Sequence, residues 1–368
     1  MSCVTSSVPR YLSRDRERET RVMATVNGSN FITVARPSQL GSRRRFASAS
    51  VPSSSIFNDR VRAAKVRAAV QTATQDPIAV DKEVTSKKSI LACPICYNPL
   101  THAGPALSMD TVSESTLLCS TCKKTYFGNK THLELTASSG AKEYTEAMAP
   151  TTEFFRLPLI SYIYERGWRQ GFSAMGGWPG PEKEFELIKG YLGPVLGGNI
   201  IDASCGSGPF TRLFAKSGLF SLVVALDYSE NMLRECYEFI RREENFPKED
   251  LILVRADISR LPFVSSSVDA VHAGAAVHCW SSPSSAVAEI SRVLRPGGVF
   301  IATTMIYDGP FALNPFLKPM QRNMFRMSGS QIFLSEQELE DLCKTCGLED
   351  FKCTRNRRFV MISATKPS

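Results

Sequence analysis

Residues 199–208 read Asn199-Ile200-Ile201-Asp202-Ala203-Ser204-Cys205-Gly206-Ser207-Gly208, and this stretch decides the fold. An apolar run of strand length meets a carboxylate and then breaks into a glycine turn. Glycines there allow a tight turn and a close approach of backbone to a ligand at a helix start. Two phosphate-binding patterns fail. A dinucleotide fingerprint needs a third glycine where Thr211 stands, and no Gly-Lys-Ser/Thr follows for a P-loop. Asp202 is a poor neighbour for a pyrophosphate, because like charges meet. It suits a ligand that carries a cationic ammonium.

Outward from this turn, apolar strands alternate with helical stretches, which predicts a doubly wound α/β sheet. Strands are predicted at Asn199–Ala203, Ser221–Leu226, Leu251–Arg255, Val268–Ala273 and Val299–Thr304, with helices at 209–217, 230–242 and 284–294. A helix at 335–346 and strand-like runs at 349–355 and 358–365 close the chain, with Arg355-Asn356-Arg357 as the turn between the runs. Ser229 is placed to cap the 230–242 helix. Asp227 ends the second strand, 19 residues after Gly208, where a carboxylate can accept both ribose hydroxyls of a nucleoside. Asp257 ends the third strand.

S-adenosyl-L-methionine carries the ammonium that Asp202 calls for. The run Asp202 to Gly208 resembles motif I of class I methyltransferases, Asp/Glu-x-Gly-x-Gly-x-Gly, with Ser204 in place of the first glycine. Tyr228-Ser229-Glu230-Asn231-Met232-Leu233, Arg255-Ala256-Asp257-Ile258, Val268-Asp269-Ala270-Val271 and Arg295-Pro296-Gly297-Gly298 resemble the family's later segments, in order. The resemblance implies a Rossmann-like, seven-stranded sheet with an antiparallel C-terminal hairpin over residues 151–368. It places Asp202, Ser204, Cys205, Gly206 and Gly208 around the cofactor, with Tyr228 or Met232 packed on the adenine. It makes Asp257 the acceptor for the adenine amino group and brings the Ile258 amide to the ring. Asp269 reads as structural. In the family the segment before the core closes over the methyl donor. Here that segment holds Tyr162, Tyr164-Glu165-Arg166-Gly167-Trp168-Arg169-Gln170 and Gly176-Gly177-Trp178-Pro179-Gly180, and plain packing on the sheet is the alternative.

Methyl transfer from a sulfonium mainly needs alignment in a dry site. A base matters only if the acceptor must lose a proton early. His278 is the candidate base. Its setting, Val277-His278-Cys279-Trp280, resembles the Leu-His-His segment of quinone-biosynthesis methyltransferases, and a histidine merely oriented at the sheet edge is the alternative. An insertion from Ile306 to Leu334 holds Phe311, Phe316, Leu317, Met320, Met324, Phe325 and Met327. It reads as a lid over an apolar acceptor, as a lipid-touching surface, or as a helix pair on the core.

Cys93-Pro94-Ile95-Cys96 and Cys119-Ser120-Thr121-Cys122 are separated by 22 residues. Two such knuckles predict a closed tetrahedral thiolate site, a structural zinc ribbon over 89–137. Unligated thiols in a degenerate ribbon are the alternative. Cys343, Cys346 and Cys353 follow helical and core spacing with Leu339 and Leu342, and read as packing residues.

The net charge is +8, but residues 1–70 hold 13 basic and 4 acidic groups, leaving 31 basic and 32 acidic groups in the body. A near-neutral body lacks the basic footprint of a nucleic-acid binder. Residues 1–68 are Ser- and Arg-rich and carry no apolar core, which predicts a chloroplast transit peptide. Translation from Met23 and processing near Val61-Arg62-Ala63-Ala64 or Val66-Arg67-Ala68-Ala69 are further expectations, with a linker at 69–88. No apolar run reaches membrane-spanning length.

A ribbon ahead of this core resembles two groups: bacterial ribosomal-RNA guanine-N1 methyltransferases, and plant plastid methyltransferases found with plastoglobules. The leader and body look more like the plant group. Three readings follow: a methyltransferase acting in the stroma or at a plastoglobule or thylakoid surface on a lipophilic, prenylquinone-like metabolite; an rRNA base methyltransferase, with Lys123, Lys124 and Lys130 as basic groups; or a non-catalytic cofactor-binding module.

Overall fold

The computed structural model describes residues 90–102, 104–168, 170–171, 176–306 and 332–368. The predicted leader, the linker, Arg169 and the insertion's Phe311 to Met327 lie outside the described residues.

Around the cysteine pairs, β1 (Leu100–His102), β2 (Thr116–Cys119) and β3 (Thr125–Phe127) form an antiparallel sheet. Then come β4 (Leu133–Glu134) and two short helices, α1 (Pro150–Arg156) and α2 (Pro158–Ile163). The core follows as α3 (Pro181–Leu192), β5 (Asn199–Ala203), α4 (Pro209–Ser217), β6 (Leu222–Asp227), α5 (Glu230–Arg242), β7 (Leu251–Arg255), β8 (Val268–Ala273), α6 (Pro283–Val293), β9 (Leu294–Met305), α7 (Glu336–Thr345), β10 (Glu349–Asn356) and β11 (Phe359–Thr365).

The main sheet has the order β10-β11-β9-β8-β5-β6-β7-β4. Strands β5 to β9 run parallel, and β11 lies antiparallel between β9 and β10. The sheet therefore has one strand more than the seven expected. An eighth, β4, comes from the cysteine-bearing segment and pairs parallel with β7 through Leu133↔Val254 and Glu134↔Arg255. A two-residue strand has no periodicity to read, so its pairing depends on the neighbouring edge alone.

Strands β5 to β8 are buried along nearly all their length. Parallel strands covered on both faces must be continuously apolar, which Leu222-Val223-Val224-Ala225-Leu226 satisfies. Alternate residues serve opposite faces. Ile200, Val223, Leu251 and Leu253 pack with Phe185, Phe214, Leu233 and Ile240 from α3, α4 and α5. Ile201, Val224, Ile252 and Val254 pack with Ile290 of α6, Leu339 of α7, and Leu91, Leu117, Tyr126 and Leu133 from the cysteine-bearing segment. That segment therefore shares its core with the main sheet.

Local chemistry sets the helix ends. Ser229 caps α5 by accepting from Met232 N at 3.3 Å. Ser335 and Glu338 form a reciprocal capping box at α7. The predicted Arg295-Pro296-Gly297-Gly298 turn is a bulged start to β9, with Gly297 at φ +76°.

Candidate active site and thiol centre

The β5 end, the β6 end and the loops after β7 and β8 surround a cavity of about 350 Å³. It opens at the carboxyl ends of parallel strands, where open α/β sheets place their ligands. Ser204, Gly206, Asp227, Tyr228, Met232, Asp257 and Ile258 line it together. Among the described residues no lysine, arginine or histidine does.

The turn after β5 has Ser204, Gly206 and Gly208 all at positive φ (59°, 57° and 79°). A left-handed serine costs about 1 kcal/mol relative to glycine, so the motif's first glycine has a conformational reason. Here the Ser204 hydroxyl accepts from Trp280 Nε1 at 3.0 Å, which ties the turn to the loop after β8. Gly208 and Cys205 do not line the cavity. A Cβ at Gly208 would collide with Cys236 Sγ on α5, and Cys205 is buried. These two let the turn pack on its neighbours.

Asp202 also lies away from the cavity. It is buried, accepts from Thr211 Oγ1 at 2.6 Å, and sits 2.8 Å from His272 Nδ1. Both its oxygens are engaged by these protein groups, where the sequence led to the expectation of an ammonium partner.

Asp227 faces the cavity and accepts Gly206 N and Ser229 N, both at 2.8 Å. Burial pushes its acid up to about 6 despite these bonds. A carboxylate has about four acceptor sites, so two remain for hydroxyl donors. Asp257 uses Oδ1 for Ser259 N and Oγ, at 2.8 and 2.7 Å. Its Oδ2 has no hydrogen-bond partner among the described residues. Tyr228 lines the cavity with the Arg156 and Arg255 guanidiniums 5.5 and 5.3 Å from its ring centroid.

His278 is buried and absent from the cavity wall. Nδ1 lies 3.0 Å from Thr304 Oγ1, the ring stacks on Phe333, and burial lowers its pKa to about 4. The candidate base is thus a packed residue off the described cavity wall, whereas its neighbours Cys279 and Trp280 line it.

The upstream segment divides between its two expected roles. Phe155 and Tyr164 line the cavity edge to face, 6.2 Å apart. Glu165 accepts from Ser207 Oγ at 2.6 Å and pairs with Arg212, clamping the segment to the glycine turn. Phe155 O accepts from Ser229 Oγ at 3.1 Å, and Arg166 meets Glu235 at 2.6 Å. By contrast Trp178 packs on Phe359, and Gly177 O accepts from Asn356 Nδ2. Sequence reading missed Met148, Thr152 and Phe155 in the cavity wall, because they stand in irregular or short helical stretches.

The sulfurs of Cys93, Cys96, Cys119 and Cys122 lie within 4.8 Å of one another, with burial alternating along each pair. Cys93 Sγ is 3.2 Å from the Tyr126 hydroxyl, and Cys96 and Cys119 accept from Asn98 Nδ2 and Cys122 N. The Cys96 contact pushes the Cys122 thiol up to about 12, with burial adding to it. Hydrogen bonds from Asn98 hold the Cys96 thiol down at about 6, and a dication would bring the others to the same thiolate form, since ligating cysteines must be deprotonated.

A methyltransferase domain family matches residues 201–302, the span from β5 into β9. A chloroplastic methyltransferase of Arabidopsis thaliana, itself described as uncharacterized, is 66% identical over 285 residues, covering 77% of this chain and 80% of the relative. A second Arabidopsis protein of the same description is 46% identical over 76% of this chain and 78% of its own length. A demethylmenaquinone methyltransferase of Renibacterium salmoninarum is 31% identical over 34% of this chain and 49% of its own. Among solved structures, a Haemonchus contortus phosphoethanolamine N-methyltransferase bound to S-adenosylhomocysteine is similar at TM-score 0.45 and 15% identity, covering 58% of this chain and 60% of that one. With the strand order, the carboxylates at the ends of β6 and β7 and these relatives in hand, the chain belongs to the S-adenosylmethionine-dependent methyltransferases of the class I, Rossmann-like fold.

Proposed function

We propose that this chain is a chloroplast methyltransferase that transfers the methyl group of S-adenosylmethionine to a small lipophilic acceptor of prenylquinone type. The observation that carries the reading is the cavity: two carboxylates, no basic side chain among the described residues, and an otherwise largely apolar wall. Asp227 would take the ribose, Asp257 the adenine amino group, and Tyr164 with Phe155 would exclude water. Bound S-adenosylmethionine would supply an electrophilic methyl on a cationic sulfur. The acidic, capped cavity attracts that cation and orients it, and Ala275, Ala276, Cys279 and Trp280 offer the acceptor an apolar approach. Without a base in the described wall, the site works by alignment.

Several features support location and acceptor class. The relatives' names include chloroplastic proteins and a demethylmenaquinone methyltransferase. The cap helices expose Leu157, Leu159 and Tyr162, an apolar edge suited to a plastoglobule or thylakoid surface. The leader has transit-peptide composition. The four thiolates suit a structural Zn²⁺ with no open position. For the ribosomal-RNA reading the ribbon offers only Lys123, Lys124 and Lys130, and Lys124 is held within the protein, donating to Ala137 O at 2.6 Å and lying over Tyr126. The test is prenylquinone and rRNA-methylation profiling of an Arabidopsis line lacking the 66% identical relative. Loss of a methylated prenylquinone is expected. Unchanged prenylquinones with a missing rRNA methyl mark would overturn the reading.

A further inference from the structure

The turn after β7 carries Asp257, Ile258 and Ser259 into the cofactor cavity. It is held between two pieces of the cysteine-bearing segment. On one side β4 pairs along β7, Leu135 N donates to Arg255 O at 2.9 Å, and Glu134 meets Arg255 at 2.9 Å. On the other, Ala92 N donates to Pro262 O at 2.8 Å and Val264 N to Ile90 O at 2.9 Å. Between these clamps stands Arg260. Its backbone amide closes the turn on Asp257 O at 2.9 Å. Its guanidinium donates to the carbonyls of Pro94 and Ile95, the latter at 2.7 Å. Those carbonyls belong to the two residues between Cys93 and Cys96. Arg260 also lies over Tyr97, which Arg292 covers at 4.0 Å from its ring centroid.

We infer that the cysteine ribbon is a built-in brace for the adenine side of the cofactor cavity, and that Arg260 is the positioning residue joining the two. A knuckle's carbonyls can point at one guanidinium only while its two cysteines hold the loop's shape, and a metal ion enforces that shape. Freed from the knuckle, the Asp257–Ser259 turn would sample other conformations, and its ordering would then be charged to cofactor binding. Metal and cofactor are therefore coupled and, by linkage, coupled reciprocally. The shared core between Leu91, Tyr126 and Leu133 and Val254, Leu261 and Phe263 fits a brace better than a detachable module. This inference rests on the cofactor reading above.

The test compares wild type with Arg260→Ala in the full chain loaded with Zn²⁺. S-adenosylhomocysteine affinity is measured by calorimetry, and amide exchange by mass spectrometry across 256–264, each before and after zinc removal by a chelator. Arg260→Ala should keep one zinc per chain, bind S-adenosylhomocysteine about tenfold more weakly, and exchange faster at 256–264. Zinc removal should weaken wild type by a similar factor but the variant by less than about twofold, because its link is already cut. Arg260→Lys, which can still donate to one carbonyl, should recover part of the affinity. Wild-type affinity in Arg260→Ala, or an equal loss on zinc removal in both proteins, would overturn the brace. If zinc-loaded wild type binds no S-adenosylhomocysteine, the cofactor reading fails, and exchange at 256–264 still decides: unchanged exchange in Arg260→Ala sinks the brace, faster exchange upholds it.

Discussion

Replacing Asp227 by Asn changes one atom's chemistry at the centre of the cavity. The native carboxylate accepts two inward backbone N–H groups at 2.8 Å each and keeps acceptor sites for two ribose hydroxyls. An amide has one oxygen, so either Gly206 N or Ser229 N must face an NH₂ group. One hydroxyl also loses its acceptor. Hydrogen bonds to a charged group contribute about 1.5–3 kcal/mol each. Losing the ribose acceptor and distorting the turn should weaken S-adenosylhomocysteine binding by about 3 kcal/mol, on the order of 150-fold. Stability should fall by only about 1–2 kcal/mol, from one orphaned N–H. The pH dependence follows from the acid pushed up to about 6 by burial. Ribose hydroxyls donate to the ionised form, so binding lowers that pKa. Above pH 6 the site is already charged. Below it, binding must release a proton, and affinity should fall by up to roughly tenfold per unit. In the free protein the sign is the other way. The folded acid keeps its proton between its ordinary value of 3.8 and about 6, so this group's contribution to stability declines as pH rises through that window. Calorimetry with S-adenosylhomocysteine from pH 7.5 to 5, in buffers of different ionisation enthalpy, reads both affinity and proton release. An Asn variant within about threefold of wild type, or one that keeps the same acid-side decline, would refute the reasoning.

Three further outcomes are expected. His278→Ala should lower stability by about 2–3 kcal/mol in thermal melts, through lost packing and an unpaired Thr304 hydroxyl, while S-adenosylhomocysteine affinity stays within about twofold; a much larger affinity loss would return His278 to the cavity. Glu165→Ala releases the Ser207 and Arg212 contacts and should speed ligand dissociation about tenfold in stopped-flow traces, since the loss of one charged, partly buried clamp is about 1.4 kcal/mol; an unchanged off-rate would show that the cap does not gate the site. Wild type should carry one zinc per chain by elemental analysis and Cys93→Ser much less, with a lower melting temperature; metal-free wild type would remove the ion from the ribbon.

The core was legible because local rules dominate it. Strands β5, β7 and β8 and helices α4 and α5 have the limits that apolar periodicity predicts, and Ser229 caps where expected. Asp227 stood out by its place at a strand end, and Asp257 through the resemblance of Arg255-Ala256-Asp257-Ile258 to the family's segment; the structure puts both on the cavity wall. The convergence of the paired knuckles was equally plain from their spacing, and their sulfurs lie within 4.8 Å of one another. What a side chain at those places does was not legible. Asp202 turns to His272, 70 residues away, and Ser204 answers Trp280, 76 residues away. Asp227, at the matching end of the next strand, faces the cavity instead. His278 stands beside the cavity in sequence and behind its wall in space. Strand β4 and the Arg260 contact to the knuckle join segments more than 100 residues apart. Periodicity along the chain thus determined the elements, their order and the carboxylates at their ends. Only the tertiary structure decided which carboxylate faces the cavity and that the cysteine-bearing segment shares the core, because both depend on contacts between side chains that sequence neighbours do not constrain.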